Sequence, residues 1–427
     1  MANLYLSFLG TNDYLEAIYH FNDQKKQTRF IQEATVGFLC QDWTDEDKII
    51  IFNTADAKKN NWFDGGFANS SKGLKSCLEA LSLKPTIHGI DIPTGATESE
   101  IWSIFNIVLN QIKENDVVVF DITHAFRSIP MLAIVILNYA KVIKKIHLSG
   151  IYYGAFETIC PAPLVKEKPI EQRLAPVFNL TAFDELLSWS MALDRFMSTG
   201  DASATASLAK ITSLPILKET KGQDKAAKAT DNLAKKLEEF SQAIASCRGK
   251  KISATADQLK KSIAACLALD SINSALLPML KDLDGRLSQF KNNPVSDGFH
   301  AVRWCIDHNL IQQGYTFLQE SIITWIAAEF SLDYKVRDNR RIVSQALAIS
   351  HKNFPENKWE KPACDHPDIV NKCLNIIRNK PSLADIYEQI TQRRNDINHS
   401  GMVSNPVSFD HLKNKLDDFL RNIEKMM

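Results

Sequence analysis

The sequence predicts a layered α/β domain with a parallel sheet, followed by a long all-α half. Three features point there. Short apolar runs alternate with amphipathic segments over residues 3–160, strand signals stop near residue 176, and helical spacing dominates from there to the end.

The strands predicted are Leu4–Gly10, Lys48–Phe52, Ile87–Ile92, Asp116–Ile122 and Ile146–Phe156. Their apolar character fits burial on both faces, the condition of a sheet covered by helices on each side. Between them, Ile101, Ile104, Phe105, Val108, Leu109 and Ile112 recur at helical spacing, with Thr97 and Glu100 as a capping box at the start. Pro130 opens a second helix, PMLAIVILNYAKVI, apolar almost all round and therefore expected to be buried against the sheet. The sum is a Rossmann-like architecture.

Beyond it, AFDELLSWSMALDRF reads as helix, and residues 202–265, rich in Ala, Lys, Ser and Leu, read as long solvent-rich helices that connect or brace domains. From about Ser296 the helices carry aromatics. Phe317, Leu318, Ser321, Ile322, Trp325 and Ile326 make one apolar stripe, and Phe409, Leu412, Leu416, Phe419, Leu420 and Ile423 make another. The expected organisation is residues 1–175, 176–295 and 296–427.

Composition narrows the class. Hydrophobic residues at 45% and charged residues at 23% describe packed domains, and 427 residues exceed one ordinary core. Lys plus Arg equals Asp plus Glu at 50 each, so a polyanionic partner must be drawn by local patches. Eight scattered cysteines show no C-x-x-C and no zinc-finger spacing; they read as free thiols of a reducing cytoplasm, with no metal site. The N-terminus reads as a strand rather than a signal peptide, and no apolar run is long enough for a bilayer. No membrane partner is expected.

Two polar turns fall at the carboxyl ends of predicted strands, where open sheets bind ligands. In the first, Gly10 allows close backbone approach, while Thr11 and Asn12 can donate to phosphate or base edges. In the second, Asp121, Thr123, His124 and Arg127 precede the helix opened by Pro130, whose free N–H groups favour an anion. Asp121 has a second reading, as a cap on its own loop. Neither G-x-G-x-x-G nor G-x-x-x-x-G-K-[ST] occurs, which disfavours NAD, FAD and the usual methyl donor and excludes a P-loop NTPase.

The second candidate site is QRRNDINHSGM, Gln392–Met402. Metal-free RNA cleavage needs a group that can take and give protons near neutral pH and a guanidinium to hold the phosphate. His399 and Arg394 supply that pair, Asn395 and Asn398 can orient the imidazole or hold substrate, and Arg393 can reach a flanking phosphate. Five positions lie about 140° apart on an ideal helix, so Arg394 and His399 do not share a face. Gly401 stops the helix, which leaves His399 on a last turn able to swing toward Arg394. The bland reading is that arginine and histidine at a helix C-terminus merely answer the macrodipole.

DITHAFRSIPM resembles the D-x-T-H-[GA]-x-R signature, and RRNDINHSGM the R-x4-6-H signature, of CRISPR-associated ribonucleases that join a CARF domain to a HEPN domain. LGTNDY and LIQQGYTFLQES (Leu310–Ser321) are also similar to that family. The resemblance implies a Rossmann-like CARF domain, a helical linker and an all-α HEPN domain. It implies activation by a cyclic oligoadenylate made by type III CRISPR complexes, and cyclic tetra-adenylate in particular for this signature. The HEPN domain would cut single-stranded RNA without metal, leaving a 2′,3′-cyclic phosphate. Arg394 and His399 would be catalytic, and Thr123, His124 and Arg127 with Gly10, Thr11 and Asn12 would line the activator pocket. A ring of repeated units suits two copies of one pocket on a two-fold axis, so a homodimer or higher even oligomer is expected.

Three rivals stay open: a non-catalytic CARF-type sensor or transcription regulator, a HEPN toxin held by a protein antitoxin, and a Rossmann enzyme acting on a nucleotide through Asp121 and His124. DNA is not expected as a partner, because basic residues in the C-terminal half are dispersed among acidic ones.

Overall fold

The computed structural model describes residues 2–67, 72–124, 129–269, 276–402 and 406–427, and the chain divides into two compact units, Met1–Glu185 and Leu186–Met427. In the first unit eight strands form one sheet: β1 (Asn3–Leu9), β2 (Ala17–Phe21), β3 (Gln24–Thr28), β4 (Lys48–Asn53), β5 (Thr86–Asp91), β6 (Val117–Asp121), β7 (His147–Gly154) and β8 (Leu174–Asn179). Their order is β3-β2-β8-β7-β6-β1-β4-β5. Strands β7, β6, β1, β4 and β5 run parallel, β2 runs parallel to β8, and the β2–β3 and β7–β8 pairs are antiparallel.

The five predicted strands are the parallel set. Their alternating side chains feed two cores. Leu4, Leu6, Phe8, Phe52 and Phe120 pack on one face with helices Glu98–Gln111 and Ile129–Ile143; Tyr5, Leu9, Ile49 and Ile51 pack on the other with helices Ile31–Leu39 and Leu74–Ala80. Strand β5 departs from the expected two-sided burial, because it closes the sheet at an edge and stays half-open to solvent. The Thr97 cap forms, accepting from Glu100 N at 3.2 Å, while the Glu100 carboxylate accepts from Ala96 N at 3.0 Å.

Helix Ile129–Ile143 corrects another expectation. It buries Ala133, Ile136, Leu137 and Ala140 but leaves Met131, Val135, Tyr139 and Val142 on its outer side exposed. One helix resting on a sheet can bury only one face, so its second apolar face is uncovered in the single chain.

In the second unit, every described element is helical. The helices of residues 202–265 do more than brace. Leu233, Leu237, Phe240, Ile252, Leu259 and Ile263 enter the same core as Phe299, Trp304, Tyr315, Phe317 and Phe419. Phe240 sits edge-on to Phe290 and Trp304, with ring centroids 5.7 and 5.1 Å away. The stripe from Phe317 to Ile326 is buried as predicted, and the last stripe is buried at Leu416, Phe419, Leu420 and Ile423, with Phe409 exposed.

Because Phe240 joins the middle helices to that shared core, Phe240→Ala should cost the helical unit about 3–5 kcal/mol in urea unfolding. A loss under about 1 kcal/mol would mean that the middle helices stand apart from it.

Candidate functional site

The first site lies where the sheet changes direction. From β1 the chain builds outward through β4 and β5, then returns to β1's other side with β6, which makes the β1/β6 boundary a topological switch point. Ser7 pairs with Asp121, so the loops after both strands leave side by side.

Gly10, Tyr14 and His124 meet there. The Tyr14 and His124 rings stack at 4.2 Å, and a Cβ on Gly10 would lie 2.2 Å from the Tyr14 hydroxyl oxygen. Only glycine admits that approach. The backbone of the first loop is held from below: Asn61 Nδ2 donates to Gly10 O and Asn12 O, both at 2.9 Å, and Asn60 Nδ2 to Thr11 O at 3.3 Å. Both asparagines belong to a π-helical turn, Lys58–Trp62, a geometry that recurs at functional sites. Arg29 in turn donates to Asn61 Oδ1 at 3.2 Å.

In the second loop, the Thr123 hydroxyl donates to Asp121 at 2.6 Å and accepts from Gly154 N at 2.8 Å, which ties the loop to β7. Asp121 itself is fully buried, and its carboxylate accepts from Thr123 N, Thr123 Oγ1, Tyr5 and Thr35. Its expected place among the groups lining a ligand is therefore corrected to its second reading, an acceptor that holds its own loop, since the low-dielectric core has taken up the whole carboxylate. Burial pushes its pKa up, and hydrogen bonds from Thr123, Tyr5 and Thr35 oppose the rise. Burial also lowers His124 to about 4, and its Nε2 has no partner among the described residues. Arg127 lies outside the described residues.

Tyr14, Asn60, Asn61 and Arg29 escaped the sequence reading of the site. The run KKNNWF carries no ligand motif, and only the register of the π-helical turn brings its asparagines under the Gly10 loop.

The second site stands on helix Leu383–Asn398, packed on helix Ile311–Glu329. Gln319 Nε2 donates to Thr391 Oγ1 at 2.8 Å, and Gln312 Nε2 to Asn398 Oδ1 at 3.2 Å. His399 caps the helix, its N–H bonded to Asn395 O; Ser400 and Gly401 follow at φ +58° and +69° and turn the chain away. Asn395, Asn398 and His399 are exposed, while Arg393 and Arg394 are half-buried. Among the described residues, Arg394 Nε is out of water without a partner, as is one oxygen of buried Asp396. No hydrogen bond joins Arg394 to His399 among the described residues, as their separation round the helix requires.

Two family models match this chain. Residues 4–157 match the CARF domain of the CRISPR system endoribonuclease Csx1, and residues 185–294 match the second domain of the CRISPR-associated protein MJ1674. The CRISPR-associated protein MJ1674 of Methanocaldococcus jannaschii is 25% identical over 340 residues, covering 79% of this chain and 48% of the relative. The chain thus spans about half the length of that relative.

The lowered His124 pKa has a signed consequence. Between about 6.5 and 4 the unfolded chain binds this proton and the folded chain does not, so stability is lost as the pH is lowered through that window. Thermal unfolding of the sheet unit at pH 7 and 4.5 should show a larger drop for wild type than for His124→Gln. Equal drops would mean that the buried ring does not govern the acid response.

Proposed function

This chain is a CARF-containing protein of CRISPR systems, and on that footing we propose that it is an endoribonuclease switched on by a cyclic oligoadenylate. The observation that carries the catalytic half is at Gln392–Met402: an exposed imidazole, His399, follows a half-buried guanidinium, Arg394, whose Nε has no partner among the described residues. A buried donor left open is costly unless a further group completes it, and a phosphodiester oxygen is such a group.

In the proposed reaction the 2′-oxygen of a single-stranded RNA attacks the adjacent phosphorus, and the bond from phosphorus to the 5′-oxygen breaks. His399 takes the 2′-hydroxyl proton, Arg394 holds the phosphate as charge grows, and the partner's His399 returns a proton to the leaving 5′-oxygen. The products are a 2′,3′-cyclic phosphate and a 5′-hydroxyl, and no step requires a metal. Asn395 and Asn398 orient the imidazole and the substrate, and Arg393 meets the flanking phosphate.

At the sheet, the pocket of Gly10, Thr11, Asn12, Thr123 and His124 receives the ring, cyclic tetra-adenylate being the preferred size. Tyr14, stacked on His124, offers an aromatic face of the kind an adenine can use. The uncovered apolar face of helix Ile129–Ile143 supports the homodimer, which supplies the second half-pocket and the second histidine. Ring binding shifts an equilibrium between idle and cutting arrangements, which requires unequal affinity for the two. The working compartment is the cytoplasm.

With labelled single-stranded RNA in EDTA, cleavage should depend on added cyclic tetra-adenylate. It should fall at least about 100-fold in His399→Ala and in Arg394→Ala. Undiminished cutting by the doubly substituted protein would remove the helical site from the reaction; ring binding without cutting by wild type would leave a non-catalytic sensor. Separately, Met131→Glu with Val135→Glu should convert a dimer to a monomer in sedimentation runs. A dimer of unchanged strength would place the subunit contact elsewhere.

A further inference from the structure

A cavity of about 510 Å³ opens within the helical unit. Its walls are the start of helix Gly249–Leu267, the start of helix Pro294–Asp307, and one stripe of helix Ile311–Glu329 carrying Thr316, Glu320 and Thr324. The volume falls in the range of ligand pockets, about 300–1,000 Å³.

Its charge is cationic. Glu320, the lining carboxylate, is neutralised by Arg340 at 2.6 Å, and Arg340 also donates to Thr324 Oγ1 at 3.0 Å. Lys250 and Lys335 have no carboxylate partner among the described residues, and Lys250 Nζ donates to Lys335 O at 3.2 Å, which holds the ammonium at the wall. Helix Gly249–Leu267 begins without a side-chain cap, so its first amides and positive dipole end add to the field beside Gly249 and Lys250. Hydroxyls of Thr316 and Thr324 and the ring of Tyr334 complete a surface that can take phosphate, sugar and base.

The cavity also adjoins the cleavage motif. Thr316, on its wall, donates to Gln312 O at 3.0 Å, and one turn earlier on the same helix Gln312 Nε2 donates to Asn398 Oδ1 at 3.2 Å. Ala254 is shared with a second, more open depression of about 400 Å³ that carries Arg248 and Lys251. Polar and cationic groups therefore extend from Asn398 through the cavity to Arg248 and Lys251, as suits a chain of phosphates better than one free anion.

We propose that this cavity is a subsite for single-stranded RNA, holding a nucleotide beside the phosphodiester that Arg394 and His399 cleave. Lys250, Lys335 and the Gly249 amides meet its phosphate, and Tyr334, Thr316 and Thr324 meet its base and sugar. The subsite rests on the ribonuclease reading above. A substrate long enough to enter it binds more tightly than a dinucleotide, which has only the scissile phosphate.

The test uses the full chain. Lys250→Glu with Lys335→Glu, and separately Ala254→Trp at the exposed rim, are compared with wild type on a twenty-nucleotide RNA and on a dinucleotide, with activator present. For the long RNA the expected KM rises about tenfold in both variants, kcat holds, and the charge variant's binding depends less on salt. Dinucleotide cleavage is unchanged. Anisotropy of the labelled long RNA on a His399→Ala background reads binding without cutting. If wild type cuts RNA but neither variant alters KM or anisotropy, the subsite falls and the ribonuclease reading stands. If wild type binds without cutting and the variants release the RNA, the subsite stands and the ribonuclease reading falls. Equal losses on both substrates overturn the subsite, and absence of RNA binding by wild type overturns both.

Discussion

A single buried carboxylate organises the sensor end of the protein. Asp121 ends β6 inside the sheet domain, where an ionised or even neutral acid is tolerated only if its oxygens are bonded. Tyr5 from β1 and Thr35 from helix Ile31–Leu39 lie 2.9 and 3.2 Å from one oxygen, and Thr123 closes on the other. That network ties a strand, a helix and a loop at one point. Where Thr123 is held decides where His124 stands, and the absence of a Cβ on Gly10 decides that Tyr14 can lie against it. The groups at the switch point are positioned from beneath.

The parts of the fold legible in the sequence are those with one strong physical cause. Strands buried on both faces read as unbroken apolar runs, so β1, β4, β6 and β7 were visible to within a residue or two at most ends. Strands β2, β3 and β8 were not read as strands. QKKQT is a polar edge, and LAPVFN contains Pro176, which argues against a strand on local grounds. Pairing rescues β8: Ala155 N donates to Pro176 O at 2.9 Å, which uses the carbonyl that proline keeps. The outer face of helix Ile129–Ile143 shows the converse limit, since apolar residues specify burial without saying whether the same chain supplies the cover.

At the two sites, residue type was legible and contact was not. The D-x-T-H run singled out Asp121, Thr123 and His124, but only the register of β1 against β6 separates the fully buried aspartate from the histidine stacked on Tyr14. Asn60 and Asn61 belong to the site through a π-helical turn far along the chain. In the helical unit, spacing alone puts Arg394 and His399 on different faces, and Gly401 at φ +69° ends the helix so that the histidine stands at its exposed tip.

On the proposed reading, two switch-point pockets share one circular nucleotide and thereby govern RNA scission. Isothermal titration of cyclic tetra-adenylate into the protein measures this most directly, because the number of rings per chain reports the sharing whatever happens at the helical site. One ring for every two chains is expected. A stoichiometry of one ring per chain, or no detectable heat of binding for any cyclic oligoadenylate, would contradict it.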